Sequence, residues 1–194
     1  VKLINTFEIL EDVLYTVLYD ESDYKNVSEF RRLLNQWNDK DYLIEYFERN
    51  IEKLQTPFWN LVINGDSNIP VEVTRAVDLT IEEAGKFEKE ILDLANGLNG
   101  RNLDKIFIHL HKEFRKESDK YEFKAYGVSA TSWLRFYAIK IESIYFITGG
   151  GIKLTETMEE SEGLDIELQK LKKVYYYLFN DPDIDPDLLE KLES

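Results

Sequence analysis

Hydrophobic positions along the chain change period several times, and each change marks the edge of an expected element. Leu14-Tyr15-Thr16-Val17-Leu18-Tyr19 has the β-branched and aromatic content of a strand, closed by the turn formers Asp20-Glu21-Ser22-Asp23. From Glu29 the spacing turns helical through Phe30, Leu33, Leu34 and Trp37, pauses at Asn38 and Asp39, and resumes through Leu43, Ile44, Phe47, Ile51 and Leu54. That pattern predicts two helices, or one bent helix, closed by Pro57. Pro57, Gly65 and Pro70 among scattered apolar residues predict a long irregular connection over 56–78.

Thr80-Ile81-Glu82-Glu83 reads as a capping box, in which hydroxyl and carboxylate satisfy each other's free backbone donors. The helix behind it presents Ile81, Ala84, Phe87, Ile91, Leu94, Ala95 and Leu98 on one side and ends at Gly97 and Gly100. Leu103, Ile106, Phe107 and Leu110 fit a helix, while Ile106 to Leu110 fits a short strand equally well. Tyr121 to Tyr126 alternates as a strand, and Leu134–Ile141 with Ile144–Thr148 forms a hairpin. Gly149, Gly150 and Gly151 are expected to end that hairpin by taking up positive φ. Leu164, Leu168, Leu171, Tyr175 and Leu178 predict a last amphipathic helix, then a turn at Asn180-Asp181-Pro182-Asp183 and a short terminal helix opened by Pro186 behind an Asp185 cap.

The order strand, helices, antiparallel strands, helix points to an α+β fold with a small antiparallel sheet and helices packed on one face. The 194 residues suit one domain, with 43% hydrophobic and 13% aromatic residues to fill its core. Its expected parts are a strand and helical extension over 1–79, an α+β core over 80–179, and a terminal turn and short helix over 180–194. No cysteine is present, which removes disulfides, thiolate metal sites and cysteine nucleophiles together. No apolar run approaches the ~20 residues of a membrane helix, and Val1-Lys2-Leu3-Ile4-Asn5 does not read as a signal peptide, so the expected compartment is the cytoplasm and no membrane partner is expected.

The net charge of −14 excludes a general nucleic-acid-binding surface and argues against direct DNA binding. Its distribution is uneven: residues 1–100 carry −10, 101–155 carry +4 and 156–194 carry −8. The positive segment contains the hairpin. Alternation along its first strand places Arg135, Tyr137, Ile139 and Ile141 on one face, and Leu134, Phe136, Ala138 and Lys140 on the other. An arginine can grip a phosphate through two parallel hydrogen bonds, and a nearby lysine can neutralise the charge that develops on it. The same pattern also fits an arginine covering a sheet edge beside a tyrosine packed on a helix.

The run Leu134 to Ile141, its partner Tyr145 to Gly151, then Ile152-Lys153-Leu154-Thr155-Glu156-Thr157-Met158 and a helix over Glu167 to Val174 resemble the C-terminal half of RelE/HigB-type toxins, particularly their phage-related HigB branch. Those proteins place an arginine-bearing strand before a hairpin partner, a Gly-x-x-Lys-x-Thr stretch after it, and a closing helix. Glu82-Glu83-Ala84, Phe87 and Glu90 are similar to their second helix, so the resemblance covers about half of the chain, roughly 80–179. It implies the toxin of a toxin–antitoxin pair: an endoribonuclease that cuts messenger RNA on the ribosome with the RNA's 2′-hydroxyl as nucleophile, without metal or organic cofactor. The implied partner is a small helix-turn-helix antitoxin. Carried over by position, Arg135 holds the scissile phosphate, Lys124 and Lys153 assist with charge, and Tyr137 stacks on a base or positions a phosphate. The chain departs from the family in its acidic N-terminal extension and in Leu154, where a second lysine often stands.

Two alternatives come from other classes. A noncatalytic protein-binding factor on a toxin-like scaffold, of the kind a mobile element or phage carries, predicts an apolar patch on the extension between Leu43 and Leu61. A metal-dependent hydrolase requires His109 and His111, which share a face if they lie on one strand, to meet carboxylates. The Gly149–Lys153 run lacks the spacing of a nucleotide-binding loop, Trp37, Trp59 and Trp133 suit the core, and the acidic clusters at 156–162 and 181–187 lack a calcium-loop arrangement.

Overall fold

The computed structural model describes residues 3–20, 27–129, 131–155 and 164–179. The turn and helix expected beyond Asn180 and the acidic cluster at 156–162 lie outside them. Among the described residues six strands form one sheet: β1 (Leu3–Leu10), β2 (Leu14–Tyr19), β3 (Phe107–His109), β4 (Glu122–Tyr126), β5 (Leu134–Ile141) and β6 (Ile144–Ile152). Their spatial order is β1-β2-β6-β5-β4-β3. All neighbours are antiparallel except β2 and β6, which run parallel over Leu14–Thr16 and Tyr145–Ile147. The class is therefore α+β, as the patterning predicts.

Six described helices accompany the sheet: α1 (Glu29–Asn38), α2 (Lys40–Arg49), α3 (Ile51–Leu54), α4 (Pro57–Asn64), α5 (Val73–Ala95) and α6 (Leu164–Phe179). The pause after Trp37 is a break, because the Asp39 carboxylate accepts the Asp41 and Tyr42 amides at 3.0 and 3.1 Å and starts α2 afresh. Pro57 opens α4 at its first turn, with Thr56 as cap and Gly65 at φ 74° closing it. The stretch expected to be irregular thus holds a helix and the start of another. Thr80 does not cap α5 but lies buried seven residues inside it, its hydroxyl donating to the Ala76 carbonyl at 2.7 Å. A boundary at residue 80 accordingly falls within one continuous helix shared by the extension and the core. Among the described residues, no helix is long and apolar enough to cross a membrane.

The helices divide between the two faces of the sheet rather than packing on one as the patterning predicts, because β5 is buried on both of its faces. Buried side chains of α1 to α5 join Leu14, Phe136, Ala138 and Ile147 in the larger core, where Trp37 stacks on Phe87 and packs at a tilt on Phe136. Leu171, Val174 and Tyr175 of α6 join Val17, Tyr137 and Ile139 on the opposite face. A bulge at Thr148, between the pairs Tyr137–Gly149 and Ala138–Ile147, bends β6 there. Past it β2 and β6 no longer pair. The wedge between them is filled by a buried charged cluster that joins α1 to α6: Arg32 binds Glu29, and the Lys170 ammonium lies 3.2 Å from Glu29 and 2.9 Å from Glu167.

Gly149 and Gly150 belong to this wedge. They continue β6, and neither has the positive φ expected of them. Their role is space. A Cβ on Gly149 would lie 2.0 Å from the Glu167 carboxylate, which accepts the Gly150 amide at 2.9 Å, and a Cβ on Gly150 would lie 2.2 Å from the Arg135 carbonyl. Burial raises the Glu167 pKa, against the pull of Lys170 and Arg32.

Candidate functional site

Where β5 begins and β6 ends, the strands run under α3 and α4, tied to the helical layer by long polar side chains. Trp59 Nε1 donates to the Leu154 carbonyl at 2.7 Å, the Tyr46 hydroxyl to the Ile152 carbonyl at 2.9 Å, and Trp133 Nε1 to the Thr80 hydroxyl at 3.0 Å. The three tryptophans are core residues, as expected, and two of them also hold this end of the sheet in place. Between the strands and α3–α4 lies a cleft of about 500 Å³. Arg135 and Lys153 both line it, together with Glu52, Lys53, Phe58 and Trp59, and hydroxyls at Thr56, Thr131, Ser132 and Thr155 complete its wall.

Arg135 is buried at 8% exposure, and its Nη1 donates to the carbonyls of Ser132 and Leu134 at 2.5 and 2.7 Å. Its guanidinium carbon sits 4.0 Å from the centre of the Tyr126 ring, the residue paired with it on β4. These contacts fix the plane of the group and leave Nε and Nη2 without a hydrogen bond among the described residues. Burial lowers its pKa, with Tyr126, Tyr137 and Glu83 acting the other way, and an arginine so placed keeps its charge at neutral pH. Ser132, whose carbonyl helps hold it, is itself anchored by a 2.6 Å hydrogen bond to Glu83 of α5.

Lys124 is not among the residues lining the cleft. It stands opposite Tyr137 in the β4–β5 register, its ammonium 5.7 Å from the centre of the Tyr126 ring and 3.4 Å from the Leu110 carbonyl. Tyr137 shares the Arg135 face, but α6 covers it: at 1% exposure it is a core residue, and its ring is not available to stack on a base. Burial drives its hydroxyl pKa up, so it stays protonated. Lys140, on the opposite face, is paired with Asp104.

The histidines do not act as a pair. β3 ends at His109, so the alternation that would align it with His111 stops there. His109 pairs with Phe123 and packs against the rings of Phe123 and Phe114, whereas His111 turns to Glu122.

Comparison with protein-family models, curated proteins and solved structures found no match. The site therefore rests on its own geometry: two cations where adjacent strands begin and end, one rigid guanidinium with open donors, a third cation at Lys53, one carboxylate and an exposed phenyl ring. Glu52, Lys53 and Phe58 carry no local signal of membership. They reach the cleft because α3 and α4 fold back over strands about a hundred residues later, and only the Thr56-Pro57 helix start marks an ordered element there.

Proposed function

We propose that the cleft binds the phosphodiester of an RNA strand and cleaves it, making the chain the toxin component of a toxin–antitoxin pair that acts on messenger RNA at the ribosome in the cytoplasm. The observation that carries this reading is that Arg135 and Lys153, two of the four residues the toxin resemblance nominates, line one cleft. Nε and Nη2 of Arg135 form the parallel donor pair that the two non-bridging oxygens of the scissile phosphate need, and Lys153 offsets the negative charge that grows as the 2′-oxygen attacks. Glu52 is the one carboxylate among the described lining residues, and it accepts the 2′-hydroxyl proton. The new 2′-O–P bond forms as the P–O5′ bond breaks, giving a 2′,3′-cyclic phosphate and a 5′-hydroxyl that takes its proton from solvent. Phe58, 57% exposed at the rim, offers a face for base stacking.

Because Arg135 is buried and hydrogen-bonded, its truncation to alanine also loosens the strand it stands on. Arg135→Lys and Lys153→Ala are therefore the informative variants, each with its melting temperature measured. In a reconstituted translation reaction the wild-type chain cleaves ribosome-bound messenger RNA to cyclic-phosphate ends. Both variants lose at least about tenfold in rate while remaining folded. Absence of cleavage by the wild type, or full activity in folded Arg135→Lys, refutes the proposal.

A second reading draws on α4, where Phe58, Leu61 and Val62 are exposed beside Ile69 on the following loop. This apolar patch overlaps the stretch where a noncatalytic binding factor is expected to carry one, and it suits a helix of a small helix-turn-helix partner laid across the cleft mouth. It predicts association abolished by Leu61→Asp and no RNA cleavage even with ribosomes present.

A further inference from the structure

Between β3 and β4 the chain loops out and returns through a short 3-10 turn at Glu117–Lys120, which brings three ligand-bearing side chains together. His111 Nε2 lies 2.8 Å from Glu122 Oε2 and 3.7 Å from Asp119 Oδ1, and one donor atom from each residue falls within 4.8 Å of the others. We propose that His111, Asp119 and Glu122 bind a divalent transition-metal ion, with Zn²⁺ as the representative, tying the loop to the sheet.

Spacing is the first support: ligands bound at about 2.0–2.2 Å around a tetrahedral ion stand roughly 3.4 Å apart, and the two measured separations bracket that edge. The second is an open valence. Glu122 is 1% exposed, and its Oε1 is the one buried side-chain oxygen or nitrogen among the described residues without a hydrogen-bond partner. The same carboxylate holds its other oxygen, Oε2, against His111, so an ion chelated by both Glu122 oxygens would satisfy an atom that is otherwise costly to bury. A protonated His111 bonded to Oε2 leaves Oε1 as it is.

Prior positioning is the third. Asp119 Oδ2 accepts the amides of Arg115 and Lys116 at 2.8 and 3.0 Å, which orients the carboxylate with Oδ1 towards His111. Glu122 is held by strand pairing with Ile139 and by the Leu110 amide, which donates to its carbonyl at 2.8 Å. The fourth is access: the His111 side chain is 38% exposed, leaving an entry path and room for water as a further ligand. One imidazole with two carboxylates favours Zn²⁺, Co²⁺ or Mn²⁺ over Mg²⁺, which prefers oxygen ligands and holds its water.

The site is separate from the cleft. Glu122 stands four residues along β4 from Tyr126, the partner of Arg135, so the metal proposal does not depend on RNA cleavage. The test uses the full chain, stripped with chelator and titrated calorimetrically with ZnCl₂, and in parallel with CoCl₂ followed by visible absorption. One equivalent is expected to bind with a micromolar or tighter Kd, to produce intensified Co²⁺ bands, and to raise the melting temperature, while equimolar MgCl₂ fails to compete. His111→Gln and Asp119→Asn should each weaken binding at least about tenfold. Because Glu122 is buried, Glu122→Gln is read only with circular dichroism showing a native fold, and His111→Gln, at a partly exposed position, supplies the decisive comparison. No saturable Zn²⁺ binding by the wild type up to millimolar concentration overturns the proposal, as does wild-type affinity in His111→Gln.

Discussion

Replacing Gly149 by alanine should unseat the buried charged cluster that holds α6 to the sheet. The new Cβ would lie 2.0 Å from Glu167 Oε2 and 3.1 Å from its carboxyl carbon, too close for either atom to stay. Moving the carboxylate breaks its 2.9 Å hydrogen bond from the Gly150 amide and weakens its 2.9 Å contact with Lys170. A hydrogen bond to a charged group contributes about 1.5–3 kcal/mol, and breaking a buried ion pair costs about 3–5 kcal/mol. Lys170 keeps Glu29 at 3.2 Å, so only part of the second figure applies. Alanine recovers about 0.4–1 kcal/mol by restricting the unfolded chain, since φ at this position is not positive.

The net expectation is a loss of about 3 kcal/mol, a large fraction of the ~5–15 kcal/mol that keeps a domain folded. Urea denaturation of Gly149→Ala should show a lower midpoint at unchanged slope. Glu167→Ala removes the obstructing carboxylate, so in that background the same glycine substitution should cost less than about 1 kcal/mol, a coupling of roughly 2 kcal/mol. A cost below about 1 kcal/mol in the wild-type background, or an undiminished cost beside Glu167→Ala, refutes the account of why glycine stands there.

Gly85 lies exposed inside α5 with no atom within 4 Å of the place a Cβ would occupy, so Gly85→Ala should stabilise the chain by about 0.5–1 kcal/mol in the same urea assay. Asp104 accepts hydrogen bonds from Lys140 and Tyr145, and these hold its pKa below the usual 3.8. A depressed carboxyl stabilises the fold above its unfolded value and loses that contribution as pH falls through the folded one. Asp104→Asn should therefore cost about 0.5–1 kcal/mol at pH 7, a size fitting a half-exposed pair, with the difference from wild type shrinking below pH 3.8. Melting curves from about pH 2 to 7 measure it.

Elements with an uninterrupted period are legible in the sequence. The alternation of Leu134 to Ile141 and the helical spacing of Phe87, Ile91 and Leu94 each report a buried face that is formed within a single segment, and both elements are present. The start of α5 is not legible in the same way: Thr80-Ile81-Glu82-Glu83 satisfies the local rules of a cap, while the helix, with Ala76 and Val77 buried in its first turns, starts eight residues earlier. Likewise α4 hides among prolines and a glycine, which start and stop it.

For the site, alternation alone puts Arg135 and Tyr137 on one face, and that holds. What alternation cannot decide is which of the two is covered. α6 covers Tyr137, while Arg135 lines a cleft together with Glu52 and Lys53 of α3, so the arginine borders a cleft and the tyrosine becomes core. Periodicity records how each segment divides its own residues between inside and outside. Which outside face becomes a cleft, how Glu52 and Lys153 come to line it together, and why Glu122 stands buried beside His111 and Asp119 depend on contacts between distant segments, and those exist only once the helices have docked on the sheet.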